Sequence, residues 1–237
     1  MSKSTFLKGA LILTIAGIIV KIIGSVNRIL LSRLLGGEGV GLYQMAYPIY
    51  LLSLSISSAG IPIAISIIVA EKVTLGDFQG ANRVFKISLG VLALTGIVFT
   101  LLLYFGAGWL IEHQFVRDSR AYYAIIALAP AIFFATIISA YRGYFQGLQT
   151  MTPTAVSQIF EQLFRVCTMI VLAYMLLDYG LEYAAAGASF GATPGAIAAF
   201  LVLLYFYWRH KPGFNQLINN QSSFIKQESA PSIIKRM

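Results

Sequence analysis

The chain is a succession of long apolar stretches joined by short polar ones. Six such stretches stand out, at residues 6–35, 43–70, 84–111, 122–148, 155–177 and 183–208. Crossing a hydrocarbon core of roughly 30 Å takes about 20 helical residues, so each is long enough to span a bilayer. The pattern therefore predicts an all-α integral membrane protein with about six transmembrane helices. The first stretch follows Lys3 and Lys8, as a signal peptide would, but its apolar character continues past Lys21 to Leu35 without a small-residue cleavage site, so it reads as a helix. Beyond Trp208 the pattern fails: "RHKPGFNQLINNQSSFIKQESAPSIIKRM" is polar and reads as a loop or linker. The expected organisation is a six-helix membrane domain over residues 1–211 and a cytoplasmic linker over 212–237.

Composition points the same way: 58% hydrophobic and 11% charged residues, with a mean hydropathy of +0.78, lie far from soluble averages. The net charge of +8 would suit a nucleic-acid partner, but its placement gives another origin. With the N-terminus inside, Lys3, Lys8, Lys72, Arg83, Lys86, Arg142, Arg209 and Lys211 fall in cytoplasmic segments, against mainly Arg117 and Arg120 outside. This bias predicts both termini in the cytoplasm and leaves no nucleic-acid role. Tyr43, Trp109, Tyr122, Tyr123, Tyr205 and Trp208 fit interfacial belts. The single cysteine, Cys167, offers neither a disulfide framework nor a thiolate metal site.

Some charges fall inside the apolar stretches. "VKIIGSVNRILLSRLLGG" (20–37) carries Lys21, Arg28 and Arg33. Lys21 and Arg28 are seven positions apart, so about 20° from each other on the helix and roughly 10 Å along it; Asn27 lies beside Arg28. A cation at mid-bilayer costs about 2.5–3.5 kcal/mol on insertion scales and ordinarily faces a polar cavity or a partner. One reading is an inward-facing basic site for an anionic substrate; the other is that both cations reach an interface. Arg33 is placed to snorkel. In "SQIFEQLFRV", Glu161 and Arg165 have the i,i+4 spacing of an intrahelical ion pair, flanked by Gln158 and Gln162. They form either a closed structural pair or part of the basic cavity. Pro48 and Pro62 lie in the second stretch, where prolines kink helices and allow gating. Tyr43, Tyr47 and Tyr50 either pack at the interface or line the outer cavity. His113 and His210 stand apart, and no metal, cofactor or catalytic motif is visible, which speaks against an enzyme.

Four segments together resemble the polysaccharide exporters and lipid-linked precursor flippases of the MOP superfamily: "GALILTIAGIIVKIIGSVNRILLSRLLGGEGVGLYQMAYPIYLL", "GIPIAIS", "YRGYFQGLQTMTPTAVSQIFEQLFRV" and "LEYAAAGASFGATPGAIAAFLVLL". The resemblance runs over nearly the whole chain. It implies a cavity between two six-helix lobes, a bacterial plasma-membrane location, and alternating-access transport of an undecaprenyl-pyrophosphate-linked glycan or peptidoglycan precursor. Lys21, Arg28 and Arg165 would receive the pyrophosphate, with Asn27, Glu161 and Gln158 in support and Pro48 and Pro62 as hinges. An arginine expected after the second-stretch proline is missing, since Pro48 is followed by "IYLLSLS"; this sets lipid II itself in question. The same resemblance implies a chain of about twice this length, so the sequence reads as an N-terminal lobe that would need a separate C-terminal half or self-association. The competing readings are a cation-coupled multidrug exporter of the same superfamily and a nontransporting membrane fragment.

Overall fold

The computed structural model describes residues 3–219 and 230–236, and every regular element among them is helical. The chain runs α1 (Lys3–Ser58), α2 (Ile61–Thr74), α3 (Phe78–Glu112), α4 (Tyr122–Gly147), α5 (Thr152–Leu176), α6 (Leu181–Phe190), α7 (Ala192–Asn219) and α8 (Ala230–Arg236). Five stretches are long and apolar enough to cross a membrane, and the first of these covers 68 residues, 7–74. At 1.5 Å per residue that is about 100 Å of helix, far more than one crossing needs. It is divided at Gly36, whose φ of 66° and ψ of −175° leave the helical region. Two limbs of α1, residues 3–35 and 37–58, therefore face each other, with Leu31 and Leu35 of one packed near Val40 and Tyr43 of the other. Divided at Gly36, the five apolar stretches agree roughly with the six helices expected of a multi-pass membrane fold.

Helix α4 is the axis of the bundle, with 14 of its 26 residues buried. Small residues let its neighbours come close. At Gly143 an added Cβ would sit 2.6 Å from the Pro62 carbonyl oxygen, so α2 and α4 pack backbone to backbone. Between membrane helices such van der Waals fit, rather than exclusion of water, is the main source of cohesion. Three apolar clusters result: one among α2, α3, α4 and α7 around Phe85 and Phe145; a second among the 37–58 limb, α3 and α4 around Leu42 and Ile125; a third joining α1, α5 and α6 around Leu31 and Met169. At one end Asp77 caps α3 through the Gly80 amide (2.8 Å) and pairs with Lys72 (3.2 Å). At the other, Arg120 bonds Asp118 (2.8 Å) and Glu38 (2.7 Å), tying the α3–α4 connection to the chain just after Gly36. The side-chain bond from Arg120 holds the Asp118 carboxyl below its ordinary value, so this clip persists above that range and is lost as pH falls through the lowered value.

The structure corrects several expectations. The second apolar stretch is not one helix: it breaks at Ala59 and Gly60, both at positive φ, and Pro62 opens α2 instead of kinking a continuous helix. Proline is suited to that first turn because it has no N–H to leave unpaired. Pro48 does lie inside α1, but the only non-helical residue there is Gly36. Residues 212–219, expected in a linker, prolong α7 through Pro212. The lost backbone bond at Pro212 is offset by Phe214, which meets Phe78 and Tyr144 with ring centroids 5.8 and 6.2 Å away. The rest of the linker is α8 or, at 220–229 and 237, lies outside the described residues.

The Gly36 conformation belongs to a region that a Cβ makes costly, by about 1–3 kcal/mol. Gly36→Ala is accordingly expected to lower the melting temperature of the purified, detergent-solubilised protein, whereas Gly37→Ala, at a helical residue with nothing within 4 Å of the added Cβ, leaves it unchanged or raises it. Equal melting temperatures for the two variants would contradict a bend fixed by Gly36.

Candidate functional site

The charged centre of the bundle is assembled from α4 and α5. Glu161 and Arg165 are one turn apart on α5, and Arg165 Nη2 donates to Glu161 Oε1 at 2.8 Å. The i,i+4 pair expected from the sequence therefore forms. It is not closed on itself, because Arg142 Nη2 of α4 donates to the other carboxylate oxygen, Oε2, at 2.7 Å. Arg142 is fixed further by Ser157, which accepts from Nε and Nη2 at 3.2 Å each while donating to the Thr154 carbonyl at 2.8 Å. All three charged side chains are about one-fifth exposed. One carboxylate is thus shared by two guanidiniums, and the group keeps one positive charge.

Its position depends on how closely α7 approaches α5. A Cβ added at Gly195 would lie 2.6 Å from the Glu161 carbonyl oxygen and 2.9 Å from Arg165 Cβ; one at Gly191 would lie 2.8 Å from the Arg165 carbonyl oxygen. Two glycines one turn apart therefore form the bed on which the Glu161–Arg165 turn rests.

One cavity adjoins this group and a second shares a wall residue with the first. The first, of about 270 Å³, is lined by Arg142, Glu161, Arg165, Tyr47, Tyr50 and Ser58 among others. The second, of about 460 Å³, lies between the limbs of α1 and is lined by Asn27, Arg28, Tyr43, Gln44, Tyr47 and Pro48 among others. Tyr47 borders both. It stands in the middle of a ladder, 5.6 Å from the Tyr43 ring and 5.8 Å from that of Tyr50. The tyrosine spacing noted in the sequence is thus a cavity wall as well as packing. Arg28 is exposed to its cavity and has no acidic partner among the described residues, so it adds a second uncompensated positive charge. Asn27 Nδ2 donates to Met169 Sδ at 3.0 Å, while its Oδ1 is buried without a partner. Arg165 Nε is likewise buried and unpartnered. Buried polar atoms of this kind are costly unless a ligand or water completes them.

Lys21 is exposed and lines neither cavity, and Gln158 is half-buried outside both. Arg142 was missed as a site residue. Its place near the end of an apolar stretch made it look like a loop cation, but it lies inside α4. The signal that finds it is spatial: Glu161 has two oxygens and only one intrahelical partner. What this arrangement can do is hold an anion. It supplies guanidinium donors, phenolic hydroxyls and an amide around a cavity that is positive overall, and among the described residues there is no metal-binding cluster.

Residues 6–237 match the family model described as polysaccharide biosynthesis protein. The chain is 41% identical over 203 residues to stage V sporulation protein B of Bacillus subtilis (strain 168), covering 86% of this chain and 39% of the relative. It is 33% identical over 220 residues to the lipid II flippase MurJ of the same organism, covering 89% and 40%. Among solved structures, a MOP superfamily transporter from Pyrococcus furiosus superposes with a TM-score of 0.73 at 15% identity, covering the whole of this chain and 52% of the other. An outward-facing multidrug resistance MATE family transporter of the superfamily gives 0.71 at 14%, covering the whole of this chain and 53% of the other. The fold is therefore that of about half a MOP transporter, and the chain spans about two-fifths of the length of these curated relatives.

The shared carboxylate gives a direct expectation. Glu161→Gln leaves two guanidiniums together without their counter-charge, and removing one partner of a buried pair costs about 3–5 kcal/mol. In a double-mutant cycle with Arg142→Gln, read by thermal or denaturant unfolding in detergent, the double variant is expected to lose clearly less than the two single losses added together. Additive losses would mean that Arg142 and Glu161 do not interact.

Proposed function

Since the chain belongs to the polysaccharide biosynthesis protein family, we propose that it forms one lobe of a flippase or exporter whose substrate is a lipid-linked anionic glycan. The substrate is an undecaprenyl-pyrophosphate-linked oligosaccharide or peptidoglycan precursor, moved from the inner to the outer leaflet of the bacterial plasma membrane by alternating access. Both termini face the cytoplasm in this reading, and a second lobe, supplied by a separate C-terminal half or by self-association, completes the cavity. The names of the relatives support the class of cargo: one is a lipid II flippase.

The observation that carries the proposal is the sign of the cavity charge. Among the described residues Arg28 lacks an acidic partner, and Glu161 offsets only one of the two arginines that hold it. In a low-dielectric cavity, guanidiniums match phosphate oxygens bidentately, and a substrate phosphate would complete the unpartnered Arg165 Nε. A cation-coupled drug exporter would instead be expected to place an available carboxylate here; both oxygens of Glu161 are already taken by arginine. Lys21, on the same limb as Arg28, belongs to the entry path of the anion, and Asn27 and Pro48 to the wall of its cavity.

The test is binding of undecaprenyl pyrophosphate, against undecaprenol as the uncharged control, to the purified protein in nanodiscs. A charge-assisted hydrogen bond contributes about 1.5–3 kcal/mol, so Arg28→Gln should weaken pyrophosphate binding by about tenfold or more without changing that of undecaprenol. Equal affinity for the two lipids, or full affinity in the Arg28→Gln variant, would rule out a charged-site mechanism.

A further inference from the structure

A third cavity, of about 240 Å³, lies away from the charged centre, at the end of the bundle where α3 begins and α4 ends. Its walls are Asn82 and Lys86 of α3, Tyr144 of α4, and Tyr207, His210, Lys211, Phe214 and Asn215 of α7. The transport reading makes no use of it. Its outer wall exists because α7 continues past Pro212: the extension adds Phe214 and Asn215 to Lys211, and the Phe78–Phe214 edge contact holds it against the start of α3. The floor is an aromatic cluster, with Phe85 4.5 Å from Tyr144 and 5.3 Å from Tyr207 between ring centroids.

The chemistry of the walls is one-sided. Lys86 and Lys211 supply two cations, Asn82 and Asn215 supply amides, Tyr144 and Tyr207 supply hydroxyls, and among the described residues no acid lines the cavity. Two described acids at this end of the bundle are engaged elsewhere: Asp77 with Lys72 at 3.2 Å, and Glu71 with Arg236 at 2.5 Å. His210 Nδ1 is 3.0 Å or closer to a backbone carbonyl, that of Phe206 at 2.8 Å, which leaves Nε2 available to a ligand. On the same turns of α7 but facing outward from the cavity, Tyr205 and Trp208 are 56% and 63% exposed, the disposition of aromatic side chains that sit at a membrane–water boundary.

We infer that this cavity is a binding site for a phosphate ester, held between Lys86 and Lys211 over the Tyr144–Tyr207 floor, and that its source is the headgroup of an anionic membrane lipid. Two lysines act as point charges on the phosphate, and the amides and hydroxyls complete its oxygens. The exposed Tyr205 and Trp208 place the cavity at headgroup level, where the acyl chains of the same lipid can run along α7. This site lies outside the arginine cavities and does not depend on the identity of the transported substrate.

The experiment is a thermal-shift series on the purified full chain in detergent, with added phosphatidylglycerol, phosphatidylcholine or inorganic phosphate. Phosphatidylglycerol is expected to raise the melting temperature by several degrees more than phosphatidylcholine. That excess should disappear in Lys86→Gln/Lys211→Gln and survive in Arg33→Gln/Arg117→Gln, which removes the same charge elsewhere. Both lysines are exposed, so the first double variant should melt like the parent without lipid. Should it instead melt much lower, Lys86→Arg/Lys211→Arg, which keeps the charge, must restore the phosphatidylglycerol excess for the site to stand. A matching, lysine-dependent shift with inorganic phosphate alone would keep the phosphate site but overturn the lipid as its source. An excess that is absent in the parent, or equal in both charge-removal variants, would overturn the site itself.

Discussion

One carboxylate shared by two arginines governs this structure. A guanidinium inside a bilayer is costly unless something opposes its charge, and here Glu161 opposes Arg142 from the neighbouring helix and Arg165 from its own. The pairing ties α4 to α5 at the level of the cavity. It also fixes the residual sign, because two cations and one anion cannot neutralise. The fold and the proposed anion site draw on the same three side chains: the carboxylate that makes the arginines tolerable in the fold also leaves their surplus charge facing the cavity.

The surrounding architecture serves that arrangement through close approach. Gly191 and Gly195 allow α7 to touch the backbone of α5 at Glu161 and Arg165, and Gly143 does the same between α4 and α2. Side chains at these positions would separate the helices and lengthen the ion pairs. The bend at Gly36 has a different role: it turns one long helix into two facing limbs, which places Asn27 and Arg28 opposite Tyr43 and Tyr47 and so creates the second cavity. Tyr47 is the wall common to both cavities, one holding Arg28 of α1 and the other Arg142 and Arg165 of α4 and α5.

Much of this was legible in the chain, and the failures have specific causes. The length of the apolar runs gave the membrane class and roughly the number of helices, since hydrocarbon thickness sets helix length. The 161/165 spacing gave one ion pair, because helical geometry is local. Proline is ambiguous in the sequence: Pro62 lies within one apolar stretch, as a kink would, but its fixed φ suits the start of α2 equally well. The polar composition after Trp208 signalled a linker because composition does not report the Phe78–Phe214 contact.

The sequence by itself determined the solvent, the helical class and the excess of positive charge. These follow from hydropathy, from periodicity and from residue identity, none of which needs a partner distant in the chain. Tertiary structure decided which charges count. Arg142 and Glu161 are nineteen positions apart on different helices, and Arg28 reaches its cavity only because Gly36 folds the limbs together, whereas Lys21, on the face expected to match it, lines neither cavity. A low-dielectric interior makes the worth of a charge depend on its nearest opposite charge, and that distance is set by how helices pack, not by the order of residues along the chain.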